Sequence, residues 1–259
     1  MKFGCCVDIR NTAMVLACKD AGVDYIETSL SGLYTIPQRE VIEIAKLLRE
    51  NNLQLAGFNG MYPWEYRLTG EWVDDQKINS YLFEVLEKAS VFCPEYVVFG
   101  SGGPRRVPEG FSKEVAFDQL AKQLKETVSP IFAQYGVKCA IEPLNYSECN
   151  IINTVLEGEE LRKAADKENV GLLADFYHMQ YNGESVSDIL KLEKAPLHLH
   201  IASKERNMPL TGDGSDYEGL FAALKEKGYD GRISLECGIP EPFEENLRAS
   251  LTYLRSLAE

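Results

Sequence analysis

Short apolar runs alternate with amphipathic helical patterns along this chain of 259 residues. In a typical helical pattern, residues 41–48, apolar side chains stand at i, i+3, i+4 and i+7. No linker rich in proline, glycine and serine interrupts the alternation, so we expect a single domain over residues 1–259. Eight strand–helix units predict the α/β class and a single (β/α)8 TIM barrel, with an open doubly wound sheet as the alternative. The predicted strands are residues 3–7, 25–29, 54–58, 96–99, 139–142, 171–175, 197–201 and 233–237.

Four of the predicted strands carry, near their ends, a side chain of a type that binds metal ions. Glu142 stands directly before Pro143, which cannot donate a ladder hydrogen bond and therefore ends the strand. Asp175, His200 and Glu236 occupy similar positions in three later strands. In a barrel these strand ends meet at one mouth, where three carboxylates without a cation would repel one another. The pattern therefore predicts a divalent-metal site, and its oxygen-rich ligands favour Mn²⁺, Mg²⁺ or Co²⁺ over thiolate-bound zinc.

Two histidines lie in the seventh predicted strand. Strand alternation puts His198 and His200 on the same face, towards the barrel interior. Because His200 is nearer the mouth, we take it as the metal ligand. His198 is one layer deeper, and we expect it to be a hydrogen-bonded core histidine.

Charge and cysteine content limit the kind of partner that this chain can have. Its net charge of −13 would repel a nucleic-acid backbone. No apolar run approaches the roughly 20 residues that span a membrane, and the first residues lack the apolar core of a signal peptide. The seven cysteines include no C-x-x-C pair and lie mostly in apolar strands, which indicates reduced thiols. We therefore expect a cytoplasmic protein with a small-molecule partner and neither a nucleic-acid nor a membrane partner.

Four sequence blocks resemble those of the xylose-isomerase-like superfamily of TIM-barrel sugar isomerases and epimerases. Its members include ketose 3-epimerases and hydroxypyruvate isomerases. The blocks are IEPLN with Glu142, LADFYH with Asp175, HLHIAS with His200 and SLEC with Glu236. The resemblance implies a carbohydrate substrate and one divalent ion on these four residues, Mn²⁺ first, with Mg²⁺, Co²⁺ or Zn²⁺ as alternatives.

The same resemblance implies three further substrate-binding residues. Glu148 lies six residues after Glu142, and the spacing fits the ketose 3-epimerase pattern. His178 and Arg206 fit that pattern as well. By the resemblance, Glu148, His178 and Arg206 hold the carbonyl and hydroxyl groups of the substrate. For Glu148, a cap on the following helix is the alternative.

The expected chemistry is proton transfer next to a sugar carbonyl, through an enediolate. Glu142 and Glu236 come from the fifth and eighth strands and therefore approach a bound substrate from opposite sides. Two opposed carboxylates, one removing a proton and the other delivering it, permit epimerisation. A single carboxylate that moves its proton along one face permits aldose–ketose isomerisation. The sequence leaves both outcomes open.

The loop after the fourth strand carries a possible anion site. Gly102 and Gly103 leave backbone N–H groups free to form an anion nest, and Arg105 and Arg106 follow them. This pattern is typical of a site for the carboxylate of a sugar acid or the phosphate of a sugar phosphate. The alternative is a solvated loop whose arginines pair with surrounding acids.

The loop after the third strand, residues 59–67, is rich in aromatic side chains. Trp64 and its neighbours are expected either to cover the substrate as a lid or to pack over the barrel mouth. Glu27, at the end of the second strand, is expected either to reach the site or to bond a loop amide.

Three other function classes are alternatives to a sugar isomerase. A dehydratase or lyase of a cyclic polyol or sugar acid uses the same metal chemistry and is the main alternative. A DNA-cleaving enzyme with several zinc ions needs more ligands than the three histidines here supply. A binding-only barrel is expected to lose at least one of the four metal ligands, and none is missing. Barrel enzymes commonly pair, so a homo-oligomer is possible.

Overall fold

Eight parallel strands form a closed ring in the computed structural model, which describes residues 1–259. The strands are β1 (Lys2–Cys6), β2 (Tyr25–Ser29), β3 (Leu55–Asn59), β4 (Tyr96–Phe99), β5 (Lys138–Ile141), β6 (Val170–Asp175), β7 (His198–Ile201) and β8 (Arg232–Leu235). Each strand pairs with its neighbours in chain order, and β8 pairs with β1 to close the ring. The expected (β/α)8 TIM barrel is therefore confirmed, and the open sheet is excluded.

Twelve α-helices connect the strands. They are α1 (Thr12–Ala21), α2 (Leu30–Thr35), α3 (Gln38–Glu50), α4 (Asp75–Ala89), α5 (Gly102–Arg105), α6 (Lys113–Gln123), α7 (Ser129–Gln134), α8 (Val155–Ala165), α9 (Phe176–Asn182), α10 (Asp188–Lys191), α11 (Tyr217–Glu226) and α12 (Phe243–Ala258). A 3-10 turn at Ser90–Phe92 follows α4, and a π turn at Leu124–Val128 joins α6 to α7. None of these helices is long and apolar enough to cross a lipid bilayer.

The observed strands agree with the predicted ones to within two residues at each end. The small differences matter at the carboxyl-terminal ends. Both β5 and β8 stop one residue before their acid, so Glu142 and Glu236 stand just outside the ladder. The two carboxylates are consequently presented at the barrel mouth rather than within the sheet.

One apolar stripe with helical spacing, formed by Phe117, Leu120, Leu124 and Val128, is interrupted. The apolar positions from Phe117 to Val128 suggest one continuous helix, but the π turn separates α6 from α7 within this segment. Pro130 stands in the first turn of α7 and has no N–H to donate to the carbonyl of Glu126. A widened turn accommodates the missing bond, and Leu124 and Val128 remain buried.

Two strand glycines make room for aromatic rings at the amino-terminal end of the barrel. A Cβ on Gly4 would lie 2.3 Å from the ring of Tyr25, and a Cβ on Gly57 would lie 2.2 Å from the ring of Tyr96. Both tyrosines are buried. Their rings therefore fill the space inside the ring of strands, in place of side chains at the two glycines.

Replacement of Gly4 by alanine is expected to lower the free energy of unfolding by about 1–3 kcal/mol, because the added methyl group overlaps the Tyr25 ring. Urea unfolding of the two proteins measures this difference. Gly32→Ala is the matched control: Gly32 lies in α2, its nearest outside contact would be 3.3 Å from Ser29 Cβ, and alanine favours a helix. Equal stability of Gly4→Ala and the parent protein would show that the Tyr25 ring can move aside.

Candidate metal centre

The ends of four strands bring Glu142, Asp175, His200 and Glu236 together. One side-chain ligand atom from each residue lies within 4.8 Å of those of the other three. Glu142, Asp175 and His200 are buried, whereas the Glu236 side chain is 20% exposed. Glu236 is thus the member of this group that opens to the surface. We call these four residues the strand-end cluster.

Two acids of the strand-end cluster, Asp175 and Glu142, have a raised pKa when no cation is present. Burial, and then the negative charge of Glu236, raise the pKa of Asp175 to about 7. Burial also raises the pKa of Glu142, although a hydrogen bond with His200 opposes this change. The cause in both cases is that a buried carboxylate loses water and gains a like charge as its neighbour.

The pKa of the histidine of the cluster, His200, is also raised, but here the result is a charged side chain. Burial alone would lower the pKa of His200, but the charge of Glu27, the charge of Glu236 and a hydrogen bond with Glu142 outweigh burial and raise it well above its ordinary value. Without a metal, an imidazolium therefore serves as the cation among the acids. A divalent ion would replace that positive charge and the protons of the carboxyl groups.

One unpaired oxygen shows that the donor set fits a metal ion. Asp175 Oδ1 accepts the N–H of Tyr177 at 2.8 Å, whereas Oδ2 is buried and has no hydrogen-bond partner. A buried carboxylate oxygen without a partner is costly. Together with two further carboxylates and one imidazole nitrogen, it makes an oxygen-rich set that suits a hard divalent cation.

A second set of polar side chains, centred on the Glu27 carboxylate, lies beneath the cluster in the barrel interior. His200 Nε2 is 2.9 Å from Glu27 Oε1, and His198 Nε2 is 3.0 Å from Glu27 Oε2. Tyr96 and Ser234 donate their hydroxyl groups to Oε2 at 2.8 and 2.9 Å. His198 is thus the hydrogen-bonded core histidine that the sequence predicts.

The structure places Glu27 against the site, which is one of its two expected positions. It does not bond a loop amide, and it meets the cluster only through the far nitrogen of His200. Glu27 and Tyr25 are two residues apart in β2 and therefore point to the same side, the barrel interior. This alternation is the sequence signal that could have placed Glu27 inside the barrel.

Arg206 spans the mouth of the cluster. Its Nη1 donates to Glu148 Oε1 at 2.8 Å and its Nη2 donates to Glu236 Oε2 at 2.9 Å. The guanidinium also lies over the ring of Tyr177, 4.7 Å from its centre. The Glu148 side chain therefore does not cap α8, a role that Thr154 takes.

His178 lies beside the cluster and under the loop that carries Glu148. Its Nε2 is 3.5 Å from Asp175 Oδ2, and its Nδ1 is 2.9 Å from the side-chain nitrogen of Asn145. The same Asn145 nitrogen donates to Glu148 Oε1 at 3.0 Å. The structure thus brings Glu148, His178 and Arg206 together around the strand-end cluster.

Asn59 is a site residue that the sequence reasoning missed. It is the last residue of β3, and its side-chain nitrogen donates to Glu236 Oε1 at 2.8 Å. Since Arg206 holds the other oxygen, Glu236 is fixed from two sides. Asking which polar residue directly follows each predicted strand would have found it, because Asn59 follows the predicted strand 54–58.

The structure does not bring Arg105 or Arg106 to the cluster. Arg105 is fully buried at the end of α5, and its Nη1 donates to the carbonyl of Phe99 at 3.0 Å. Arg106 donates to the carbonyls of Ser147 and Glu148 at 3.2 and 2.9 Å. The short helix that begins at Gly102 turns the first arginine inward, so the chain does not form the open nest that the sequence suggests.

The aromatic loop after β3 divides between core and surface. Tyr62 and Tyr66 are buried, and their rings pack near the ring of Tyr81. Trp64 is 73% exposed and lies against Gly103, where a Cβ would come within 2.2 Å of its ring. The loop therefore packs over the barrel, and only Trp64 is free to face a ligand.

A cavity of about 430 Å³ begins beside Glu236. Residues at and beyond the carboxyl-terminal ends of β1, β2 and β8 form most of its walls, and Asn59, Arg206 and Glu236 also line it. Polar side chains line it, namely Asp8, Arg10, Thr28, Ser29 and Asn59. Its size lies in the range of small-molecule sites.

Known proteins match this chain over most of its length. The sequence model of a family described as a xylose isomerase-like TIM barrel matches residues 15–257. A probable ketose 3-epimerase from Synechocystis sp. is 29% identical over 160 residues, which are 58% of this chain and only 54% of that protein. An inosose isomerase from Halalkalibacterium halodurans is 24% identical over 242 residues, which are 88% of this chain and 82% of that protein.

A solved structure agrees with the fold. The crystal structure of D-psicose 3-epimerase with D-tagatose, from Clostridium cellulolyticum H10, has a TM-score of 0.86, 19% sequence identity and coverage of 100% of both chains. At that identity the likeness concerns the fold. The family match extends from α1 to the end of α12. The chain therefore belongs to the family of xylose isomerase-like TIM barrels.

Proposed function

We propose that this protein is a divalent-metal-dependent sugar isomerase or epimerase. The observation that carries the proposal is the convergence of Glu142 and Glu236, two carboxylates with different surroundings, on one buried imidazole and one unpaired aspartate oxygen. The names of the relatives support it, because both a ketose 3-epimerase and an inosose isomerase are among them.

The strand-end cluster would hold the ion. When bound, a divalent ion polarises the carbonyl and hydroxyl oxygens of a sugar and stabilises the negative charge that develops on proton loss. We propose Mn²⁺ as the first choice, supported by three carboxylates and one imidazole, with Mg²⁺, Co²⁺ or Zn²⁺ as alternatives.

Glu142 and Glu236 carry the proton in this proposal. Their strands, β5 and β8, lie three places apart in the ring, so the two carboxylates approach a sugar from different sides. Burial raises the pKa of Glu142, which favours its proton-bearing form. Glu236 is held by Asn59 and Arg206 and faces the cavity. One residue removes a proton from the carbon beside the carbonyl, and the other supplies one to the opposite face.

The remaining polar side chains would orient the sugar. Arg206 supplies a forked donor and Glu148 an acceptor, and both lie at the opening of the cluster. His178 lies beside Asp175 and completes the wall on that side. Because these groups are held by hydrogen bonds to one another, their positions are set before a substrate arrives.

We further propose a reducing compartment such as the cytoplasm. Four of the seven cysteines, Cys5, Cys18, Cys139 and Cys149, are buried thiols in the core. Buried unpaired thiols suit a reducing environment.

Replacement of Glu142 or Glu236 by glutamine is expected to lower turnover by about 10²–10⁴-fold, because glutamine keeps the size of the side chain and cannot exchange a proton. The measurement is turnover of a panel of ketoses and cyclic keto-sugars by the metal-loaded protein in deuterated water, with metal occupancy determined for each variant. Glu43→Gln, on the exposed face of α3, is the matched control and should act like the parent protein.

The same assay separates the two mechanisms. If two carboxylates act, a metal-loaded Glu236→Gln protein still exchanges the carbon-bound hydrogen of one epimer through Glu142 but forms no second epimer. If one carboxylate acts, one of the two variants retains turnover. Normal turnover in both metal-loaded variants would exclude the proposed roles.

Metal affinity is expected to fall as the pH drops through about 7. The pKa of Asp175 in the metal-free protein is about 7, so below that pH a proton occupies the carboxylate that the ion needs. For each proton that the ion must displace, the metal affinity falls about tenfold per pH unit below the pKa of the group that holds that proton. Chelator competition at pH 5.5, 7 and 8 measures the effect, and equal affinity at all three values would contradict it.

The metal-free protein should become less stable as the pH rises, whereas its metal affinity should increase. A carboxyl group whose pKa is raised on folding gives stability that is fully present below its unfolded pKa of about 4 and is lost progressively as the pH rises to about 7. The increase in melting temperature on adding Mn²⁺ is therefore expected to be larger at pH 8 than at pH 5.5.

A further inference from the structure

The carboxylate of Glu27 has two oxygens with different neighbours. Oε2 accepts three hydrogen bonds, from Tyr96 at 2.8 Å, from Ser234 at 2.9 Å and from His198 at 3.0 Å. Oε1 has one partner, His200 Nε2 at 2.9 Å. All five side chains are at most 4% exposed. One oxygen is therefore anchored in the barrel, and the other is directed at a single imidazole nitrogen.

The opposite nitrogen of His200 faces the strand-end cluster. His200 Nδ1 is 3.2 Å from Glu142 Oε1 and 3.7 Å from Glu236 Oε2. A carboxylate accepts hydrogen bonds and cannot donate them, so Glu27 keeps the ring proton of His200 on Nε2. In the neutral ring, the lone pair available to an ion is then the one on Nδ1. Glu27 consequently determines which ring nitrogen of His200 faces the strand-end cluster.

A purely structural role explains these contacts less well. A barrel interior is usually filled by branched apolar side chains, and a buried carboxylate gives no net stability over such residues. Glu27 is nevertheless the one acid of the chain with an exposed fraction of 0%, and its Oε1 contacts the one histidine of the strand-end cluster.

We propose that Glu27 is a positioning residue for the metal centre: its Oε1 orients the His200 ring and holds the proton on Nε2, so that Nδ1 binds the ion. This inference rests on the proposed metal-dependent function. It assigns Glu27 no contact with the ion or with the substrate. Carboxylates that accept from a metal-bound imidazole act in this manner in other metal sites.

Replacement of Glu27 by leucine removes the acceptor and is expected to weaken Zn²⁺ and Co²⁺ binding by about 10–100-fold. Glu27→Gln keeps one acceptor oxygen and should recover part of that loss. Tyr96→Phe is the matched control, because it removes a hydrogen bond from Oε2 and leaves the Oε1–His200 contact in place. Chelator competition gives the affinities, and thermal unfolding of the metal-free proteins gives their stabilities.

The two roles predict different patterns. A positioning role predicts that Tyr96→Phe lowers the melting temperature without changing metal affinity, whereas Glu27→Leu lowers the affinity beyond what its stability accounts for. A merely structural role predicts that affinity follows stability in all three variants, and that result would overturn the inference.

A direct readout needs no variant, which keeps the inference testable if Glu27→Leu does not fold. The chain has three histidines, so nitrogen-15 spectra of the zinc-loaded protein resolve each ring. The expected spectrum shows His200 with a protonated Nε2 and a zinc-bound Nδ1. Zinc bound through Nε2 would refute the role of Glu27. Failure of the parent protein to bind any divalent ion would instead refute the metal-dependent function.

Discussion

Negative charge confined inside a closed barrel is the constraint on which the rest of this structure depends. Four acids, Glu27, Glu142, Asp175 and Glu236, project into or over the interior, where water is scarce and charge repulsion is strong. Glu27 is satisfied: burial would raise its pKa, but His200 and His198 lower it well below the ordinary value. The other three differ: Arg206 and Asn59 hold Glu236, His200 contacts Glu142, and Asp175 Oδ2 has no hydrogen-bond partner. The barrel thus separates one acid whose pKa is lowered by two histidines from two, Glu142 and Asp175, whose pKa is raised by burial.

Much of this arrangement could be predicted from the sequence because it follows from local patterns. Alternating apolar runs and helical stripes predict the barrel, and parallel strands necessarily gather their ends at one mouth. Glu142, Asp175, His200 and Glu236 are therefore brought together by topology alone. The Glu27–His200 contact is different, since β2 and β7 are not neighbours in the ring. It depends on how far side chains reach across the closed interior, which spacing along the chain does not reveal.

Loop conformation was the second limit to prediction. Gly102 and Gly103 suggest an open anion nest, but the chain forms a single helical turn there and buries Arg105. The sequence leaves the aromatic loop open as a lid or as packing over the mouth, and Tyr62 and Tyr66 pack with Tyr81 in the core. In both cases composition identifies residues suited to a ligand, whereas tertiary packing decides whether they face one.

The bridge that Arg206 makes between Glu148 and Glu236 has a consequence for selectivity. The guanidinium donates to both carboxylates, and the Arg206 backbone has a left-handed φ of 56°, unusual for a residue with a side chain. Any sugar that binds Glu236 must compete with this charge-assisted contact. A molecule that offers a single hydroxyl group replaces only half of the bridge, whereas one with two suitably spaced oxygens replaces it completely. In the proposed function the arginine would thus act as an intramolecular competitor that favours ligands with adjacent oxygen functions over those that merely fit the cavity.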